Sequence, residues 1–157
     1  TVAGATAIEA DATLAPGDSG LGTLTFGAAL SLAAGSTTVI EIDRAQGTSD
    51  IVVCRGPAAL DGDLVVTNLA GEPAVGDSFR ILDHAGVTGT FSSIVGPPAR
   101  QAKWEFEPAT GILRLAAAFP PGSARYESVI ALTNYARAEP LTNFPGAGLA
   151  RPARARL

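Results

Sequence analysis

The feature that most constrains the fold is the regular return of turn residues between short apolar segments. Such turns occur about every ten residues, at Pro16-Gly17-Asp18, Ala34-Gly35-Ser36, Asp61-Gly62 and Val75-Gly76-Asp77. Glycine supplies the positive φ that these turns need, and an Asp or Ser side chain closes the turn by a local hydrogen bond. The segments between the turns are too short for ordinary helices, so the sequence predicts a β-rich fold.

Within these segments, apolar and small or polar residues tend to alternate, which is typical of strands with one buried face. The predicted strands of the first part of the chain lie at residues 5–10, 12–15, 22–26, 29–32, 37–42, 50–53, 63–67 and 78–82. Strands of this length are compatible with a sandwich, a barrel or a solenoid. The choice among the three depends on what the inner faces carry.

Small aliphatic residues dominate the predicted inner faces. Aromatic residues make up 6% of the chain, whereas a sandwich usually places large aromatic anchors between its sheets. A solenoid instead stacks Leu, Val, Ile and Ala from coil to coil. We therefore predict a right-handed parallel β-helix, although internal identity is too low to define a repeat period. The predicted inward residues are Leu24/Phe26, Leu30/Leu32, Val39/Ile42, Ile51/Val53 and Leu64/Val66.

Bulky residues collect near the end of this region. Phe91, Trp104 and Phe106 lie in or between predicted strands at 87–94, 103–107 and 112–115. Because the last coil of a solenoid would expose an unpaired edge, we expect these residues to form a C-terminal cap of antiparallel strands. Trp104 is predicted to pack in the cap, and carbohydrate stacking is the minor alternative.

The chain divides into two regions of opposite charge. Residues 1–118 hold 6 Lys+Arg against 13 Asp+Glu, whereas residues 119–157 hold 5 against 2. We expect the first region to be the capped β-helix, and the second to be a short helix over Ala124 to Ala138 followed by an extended tail. The acidic body argues against a nucleic acid partner, and no apolar run is long enough for a membrane span. The single cysteine, Cys54, is predicted to be a buried small hydrophobe.

The order of the segments resembles the late coils of bacterial autotransporter-type β-helix passengers. The likeness covers about residues 10–115, and the pattern departs from that family after residue 119. The segments that carry the likeness are Leu14–Phe26, Leu30–Thr37, Glu41–Asp43, Ser49–Val53, Leu60–Val66, Val75–Leu82 and Gly89–Phe91.

This resemblance implies a right-handed parallel β-helix that belongs to a secreted or cell-surface, adhesin-like bacterial protein. In that family such a segment serves folding and display, and it has no catalytic residues to carry over. The partners that we expect are flanking β-helix coils or another copy of the chain, with surface carbohydrate as a possible ligand. No cofactor is expected.

The strongest catalytic motif is Gly17-Asp18-Ser19-Gly20, which is similar to the nucleophile box of trypsin-like proteases and to the first block of Gly-Asp-Ser lipases. Both enzymes need a histidine that is oriented by a carboxylate. The single histidine, His84, is flanked by Asp83 and follows Ser19, whereas in trypsin-like chains the histidine precedes the serine. The lipase pattern needs an aspartate where Ile81 stands and a histidine near the C-terminus, so neither pattern is completed. A turn between coils explains the motif, so Ser19, His84 and Asp83 are weak catalytic candidates. The ordinary role of His84 would be a surface imidazole paired with Asp83 or Asp77.

Carboxylates offer two further hypotheses. Asp61 and Asp63, or Asp18 with Asp77, would bind Ca²⁺ if their turns stack, but the spacing matches no known calcium loop and turn formation is favoured. A glycoside hydrolase or polysaccharide lyase would need a carboxylate pair on an exposed sheet, and this is the main alternative to a structural role. The residues that would supply such a pair are Glu9, Asp11, Glu41, Asp43, Asp50 and Glu105. We predict a structural protein and not an enzyme.

Overall fold

The computed structural model describes residues 1–17, 20–99 and 101–118, which form β-strands and no helix. The predicted helix over Ala124 to Ala138 and the tail lie outside the described residues. The strands are β1 (Thr6–Ile8), β2 (Thr13–Leu14), β3 (Thr23–Phe26), β4 (Leu30–Leu32), β5 (Thr37–Asp43), β6 (Thr48–Ser49), β7 (Ile51–Leu60), β8 (Asp63–Asn68), β9 (Ser78–Arg80), β10 (Leu82–Gly89), β11 (Ser93–Val95), β12 (Ala102–Glu107) and β13 (Ile112–Ala117).

Two stacks of parallel strands form the body. The first stack runs β1, β4, β7, β10, and β3 also pairs with the first half of β7. The second stack runs β2, β5, β8, β11, with β6 folded back antiparallel on β5. Each strand pairs with the strand one coil later in the chain, so the body is a parallel β-solenoid of about three turns. The predicted solenoid fold is confirmed.

The inner faces of the two stacks meet in one narrow core. Aligned side chains form continuous columns, such as Leu24, Val52 and Leu82 in the first stack. A second column in the other stack contains Leu14, Thr38, Leu64 and Ile94. Leu64 is fully buried, and the core is one contiguous cluster. Burial of these aliphatic columns is the main stabilising contribution to the body.

The coils lengthen along the chain. Thr13 pairs with Thr37, 24 residues later, Thr37 pairs with Asp63 at an offset of 26, and Asp63 pairs with Ser93 at an offset of 30. Insertions between coils are accommodated in turns that project from the solenoid. The growing offset explains why no fixed repeat period is present in the sequence.

The predicted inner faces are right in most strands and wrong in two. Leu24, Phe26, Leu30, Leu32, Ile42, Leu64 and Val66 pack in the core as predicted. Val39, Ile51 and Val53 were predicted to point inward, but they are half-buried on the outer face while their neighbours are buried. The inward residues are instead Thr38 and Ile40 in β5 and Val52 and Cys54 in β7.

Asp50 determines which side of β7 faces the core. Its side chain is 1% exposed, and its two carboxylate oxygens accept hydrogen bonds from the backbone N–H groups of Gly22 (2.6 Å) and Glu41 (2.8 Å). Because side chains alternate along a strand, an inward Asp50 places Ile51 outside and Val52 inside. The carboxylate thereby joins the start of β3 to the middle of β5 at the corner where β7 begins.

A separate antiparallel sheet of β12, β13 and β9 forms the cap. Leu113 and Leu115 are buried on its inner side with Phe79. Phe91 of the last coil meets Phe106 edge to face, with ring centroids 5.1 Å apart. Residues 78–82, predicted as one solenoid strand, are divided between β9 in the cap and β10 in the body. The predicted cap of antiparallel strands and aromatic residues is present.

Candidate functional site

The structure separates the side chains of the candidate residues Asp83 and His84. As consecutive residues of β10, their side chains point to opposite faces. One oxygen of Asp83 accepts a hydrogen bond from the guanidinium of Arg80 at 2.8 Å, and both side chains are half-exposed. The third candidate, Ser19, lies outside the described residues, as does Asp18.

His84 connects the last coil to the cap. Its Nε2 lies 2.9 Å from the carbonyl oxygen of Pro108, in the turn between β12 and β13. A carbonyl oxygen only accepts, so we assign the hydrogen to Nε2 and leave Nδ1 as an acceptor. Nδ1 is buried and has no hydrogen-bond partner among the described residues. The predicted pairing with Asp83 or Asp77 is therefore replaced by a bond to the cap.

Asp77, the other expected partner of His84, is engaged elsewhere. Its Oδ2 accepts hydrogen bonds from the backbone N–H of Ala74 (2.8 Å) and from Nε of Arg44 (3.1 Å). Arg44 follows β5, in the turn one coil earlier. The Arg44–Asp77 pair therefore joins projecting turns of successive coils.

The candidate calcium ligands Asp61 and Asp63 form cross-links between coils. Asp61 accepts hydrogen bonds from the Ser92 hydroxyl (2.7 Å) and from the Gly62 N–H (2.8 Å). Asp63 accepts a hydrogen bond from the Ser93 hydroxyl at 2.6 Å. The Ser92 hydroxyl, and then the Gly62 N–H, hold the pKa of Asp61 below its ordinary value because both donate to the ionised form.

These contacts account for Asp61 and Asp63 without a metal. In residues 1–17, 20–99 and 101–118, no group of three or more His, Cys, Asp or Glu side chains is arranged to hold a metal ion. Calcium binds through several clustered oxygens. The Asp61–Ser92 and Asp63–Ser93 hydrogen bonds instead join two successive coils where β8 and β11 begin.

Three of the six carboxylates proposed for glycosidase chemistry have internal partners. Asp50 is buried at its corner, Asp43 accepts hydrogen bonds from the backbone N–H and the side-chain amide of Gln46, and Glu105 pairs with Lys103 at 2.7 Å. A glycosidase needs one carboxyl group to donate a proton to the substrate and a second to act as base or nucleophile. Buried or hydrogen-bonded carboxylates of this kind serve the fold.

The thiol of Cys54 also has a structural role. It is 2% exposed, in the same inward column as Phe26 and His84. Its Sγ lies 3.3 Å from the carbonyl oxygen of Ala28, at the bend between β3 and β4, and 3.7 Å from that of Pro57. A weak S–H donor at this position satisfies a carbonyl group that lies between two strands. The prediction that Cys54 is buried is confirmed.

Trp104 packs against the core from the cap, where it is half-buried. Its indole N–H donates to the carbonyl oxygen of Pro97 at 3.2 Å, and the ring fills the space where a Cβ on Gly96 would lie. This packing is the predicted one. A ring held between the core and a neighbouring loop presents little surface for stacking a sugar.

One cleft of the described surface lies between the turn before β9 and the outer face of the cap. It has a volume of about 500 Å³, and its lining includes Val75, Asp77, Glu107, Ile112 and Arg114. Its charged groups are paired: Arg114 with Glu107 at 3.3 Å, and Asp77 with Arg44. Both carboxylates that line the cleft, Asp77 and Glu107, therefore have basic partners. No helix in the described part of the chain is long and apolar enough to cross a membrane.

Comparison with known proteins links the chain to an adhesin. It is 34% identical over 80 residues, 48% of its length, to the adhesin BmaC autotransporter of Brucella suis biovar 1. The match spans 2% of the length of that relative. No family model matches the chain, and no solved structure matches it significantly. The predicted resemblance to autotransporter β-helix passengers is confirmed by this similarity and by the solenoid fold.

Proposed function

We propose that the chain is a structural, surface-display segment of a secreted or cell-surface β-helix protein with an adhesin-like role. The observation that carries the proposal is a parallel solenoid closed by a cap, in a chain similar to part of an adhesin autotransporter. The solenoid supplies a stiff support, because each coil is hydrogen-bonded to the next along both walls. Its partners are further coils, another copy of the chain, or surface carbohydrate.

The hydrogen bonds made by the polar side chains support a structural role. Asp50, Asp61, Asp63, His84 and Cys54 donate or accept hydrogen bonds that join coils, corners or the cap. An enzyme would hold at least one such group free to meet a substrate in a cleft. In this chain the five polar residues named above instead stabilise the packing of the coils and the cap.

Surface display tests the proposal directly. The full chain, fused to an outer-membrane anchor in a non-adherent laboratory strain of a Gram-negative bacterium, is expected to resist external protease and to increase attachment to epithelial cells. The control is Leu113→Asp, which places a charge in the buried cap. We expect this variant to be degraded. Protease-resistant display without any gain in attachment would remove the adhesin-like role, and degradation of the unaltered chain would remove the display role.

The hydrolase alternative has its own test. The purified chain is incubated with model esters and a panel of acidic and neutral polysaccharides, next to Ser19→Ala and His84→Ala. We expect no product from any of the three proteins. Turnover that Ser19→Ala abolishes, while its circular dichroism spectrum stays unchanged, would establish an enzyme and contradict the structural role.

A further inference from the structure

We propose that His84 makes the attachment of the cap to the solenoid dependent on pH, so that protonation of its imidazole releases the cap at mildly acidic pH. The contact concerned joins the last coil to the turn of residues 108–111, between β12 and β13. This device goes beyond the proposed display role and does not depend on it.

Three hydrogen bonds in the described part of the chain attach this turn to the last coil. The backbone N–H groups of Ile81 and Leu82 both donate to the carbonyl oxygen of Gly111, at 3.0 and 3.2 Å. The third bond joins His84 Nε2 to the carbonyl oxygen of Pro108 at 2.9 Å. Gly111 lies so close to Leu82 that a Cβ on it would clash with the Leu82 carbonyl oxygen. Of the three donors in this tight contact, only the imidazole of His84 can change its charge.

The buried nitrogen of the imidazole ring opposes protonation while the cap is attached. In the neutral ring, Nε2 carries the hydrogen that it donates to Pro108, and Nδ1 carries none. A second proton would create an N–H group at Nδ1, which is buried and has no acceptor among the described residues. A buried donor without an acceptor is unfavourable, and so is a buried charge without an opposite charge. The neutral imidazole therefore fits the closed contact, whereas the imidazolium favours an open one.

The charged and titratable groups of the body give the imidazolium little compensation. The side chain of Asp83 points to the opposite face of β10 and is paired with Arg80 at 2.8 Å. One coil earlier, the residue in register with His84 is Cys54, whose thiol contacts backbone carbonyl oxygens. The next residue of β7 is Arg55, which is exposed and positively charged. None of these groups offers a negative charge to the imidazole.

The inner face of the cap offers no negative charge either. Phe106 pairs with Leu113 across β12 and β13, and both pack on the core. Alternation places the charged residues of these strands on the outer face, where Glu107 is paired with Arg114 at 3.3 Å. The other charged residues of the three cap strands, Arg80, Lys103 and Glu105, lie on the same outer face. A proton on His84 would therefore face apolar side chains.

The pH range in which histidine titrates isolates this residue from the carboxylates. His84 is the single histidine of the chain, and Asp and Glu side chains ordinarily stay ionised down to about pH 5. The contact of the neutral ring stabilises the attached cap near neutral pH, and this contribution is lost as the pH falls and the released ring takes up a proton. A change between about pH 7 and about pH 5 therefore reports on His84.

Hydrogen exchange of the full chain at these two pH values, expressed as protection factors, tests the proposal. We expect the protection factors of β9, β12 and β13 to fall about fivefold or more at the lower pH, which is the size expected for a buried donor without an acceptor. Those of β5 and β8 should stay unchanged. Acrylamide quenching of Trp104, the single tryptophan and part of the cap, should increase over the same range.

His84→Gln is the matched variant, because the amide of glutamine can donate to Pro108 and does not titrate. We expect its cap protection to be the same at both pH values, whereas Glu105→Gln, on the outer face of the cap, should keep the native response. If His84→Gln does not fold, nitrogen NMR of the single imidazole in the native chain provides a second measurement, and it should show the hydrogen on Nε2 at neutral pH.

Four results would overturn the proposal. They are cap protection that does not depend on pH in the native chain, a loss of protection spread equally over body and cap, an undiminished pH response in His84→Gln, and a neutral ring with its hydrogen on Nδ1. Each of these results concerns the attachment of the cap. Surface display and attachment to cells at neutral pH would still test the proposed function separately.

Discussion

The solenoid body and the cap differ in the direction of their strands and in the side chains they bury. The body stacks parallel strands over columns of Leu, Ile and Val, whereas the cap folds antiparallel strands over Phe79, Phe106 and Trp104. A parallel stack presents the same kind of edge after every coil and so can continue indefinitely. The antiparallel hairpin interrupts that continuation, and its large side chains cover the last coil.

The polar contacts of the two regions differ in burial. In the body, Asp50 is buried and bonded to backbone N–H groups of two different strands. In the cap, the ion pairs Lys103–Glu105 and Arg114–Glu107 lie on the surface, with side chains 40–59% exposed. Buried polar contacts contribute more to stability than exposed ion pairs, because water competes with the latter. The Asp50 carboxylate should therefore contribute more to stability than either surface ion pair of the cap.

The largest expected effects come from deleting a buried leucine in each region. Leu64 in the body and Leu113 in the cap are both fully buried. Leu64→Ala and Leu113→Ala should each lower the free energy of unfolding by about 2–5 kcal/mol, measured by urea denaturation.

Hydrogen exchange then distinguishes the two regions in these variants. Coils contact only their neighbours, so Leu113→Ala should speed exchange in β9, β12 and β13 while β4 and β5 stay protected. Leu64→Ala should speed exchange in β5, β8 and β11 instead. Uniform acceleration along the chain in both variants would show that the body and the cap unfold as one unit.

Removal of the Asp50 carboxylate should have the next largest effect. Asp50→Ala leaves the N–H groups of Gly22 and Glu41 without an acceptor in a buried corner, and we expect a loss of about 3 kcal/mol. The matched control in the cap is Glu105→Ala, where a loss below about 0.5 kcal/mol is expected for an exposed pair. Equal losses in thermal or urea denaturation would contradict the difference between buried and exposed polar contacts.

Thr38 provides a smaller test, in the opposite direction. Its side chain is 3% exposed, between Leu14 and Leu64 in the core column, and its hydroxyl has no hydrogen-bond partner among the described residues. Thr38→Val keeps the shape and removes the unpaired hydroxyl, so it should stabilise the chain by about 1 kcal/mol. Thr37→Val, on the outer face of the same strand, should change stability by less than about 0.5 kcal/mol. A destabilised Thr38→Val would indicate that the hydroxyl has a partner in solution.

The run that begins at Ile51 shows why the buried face of a strand cannot always be predicted from the sequence. Alternation assigned the inner face well in β3 and β4, where polar residues separate the apolar ones. It failed in Ile51-Val52-Val53-Cys54, because a continuous apolar run fits either face equally well. The deciding contact is made by Asp50 to Gly22, 28 residues earlier, and short-range patterns contain no information about such a partner.

Prediction of the roles of the candidate site residues was limited for the same reason, because those roles depend on long-range contacts. The sequence predicted turns at Asp61-Gly62 and a buried Cys54, since both depend on neighbouring residues. It did not predict that Asp61 meets Ser92, 31 residues later, or that His84 meets Pro108. These pairs depend on the coil length, which varies from 24 to 30 residues. The partners in such contacts can be identified only when the stacking of the coils is known.

The smallest effect that we expect concerns the Asp61–Ser92 cross-link and its dependence on pH. The pKa of Asp61 is lowered in the folded chain, so the ionised carboxylate contributes stability above its unfolded pKa, ordinarily 3.8. That contribution should be lost as the pH falls through the lower folded pKa. Asp61→Asn should therefore be less stable than the native chain at pH 6, and the difference should shrink in urea denaturation at progressively lower pH below 3.8.

Ser92→Ala, which removes the main donor, should reduce the same pH dependence, whereas Thr67→Ala, on the exposed face of β8, should leave it unchanged. A stability difference between Asp61→Asn and the native chain that stays constant from pH 6 to pH 2 would show that the hydrogen bond does not depend on ionised Asp61.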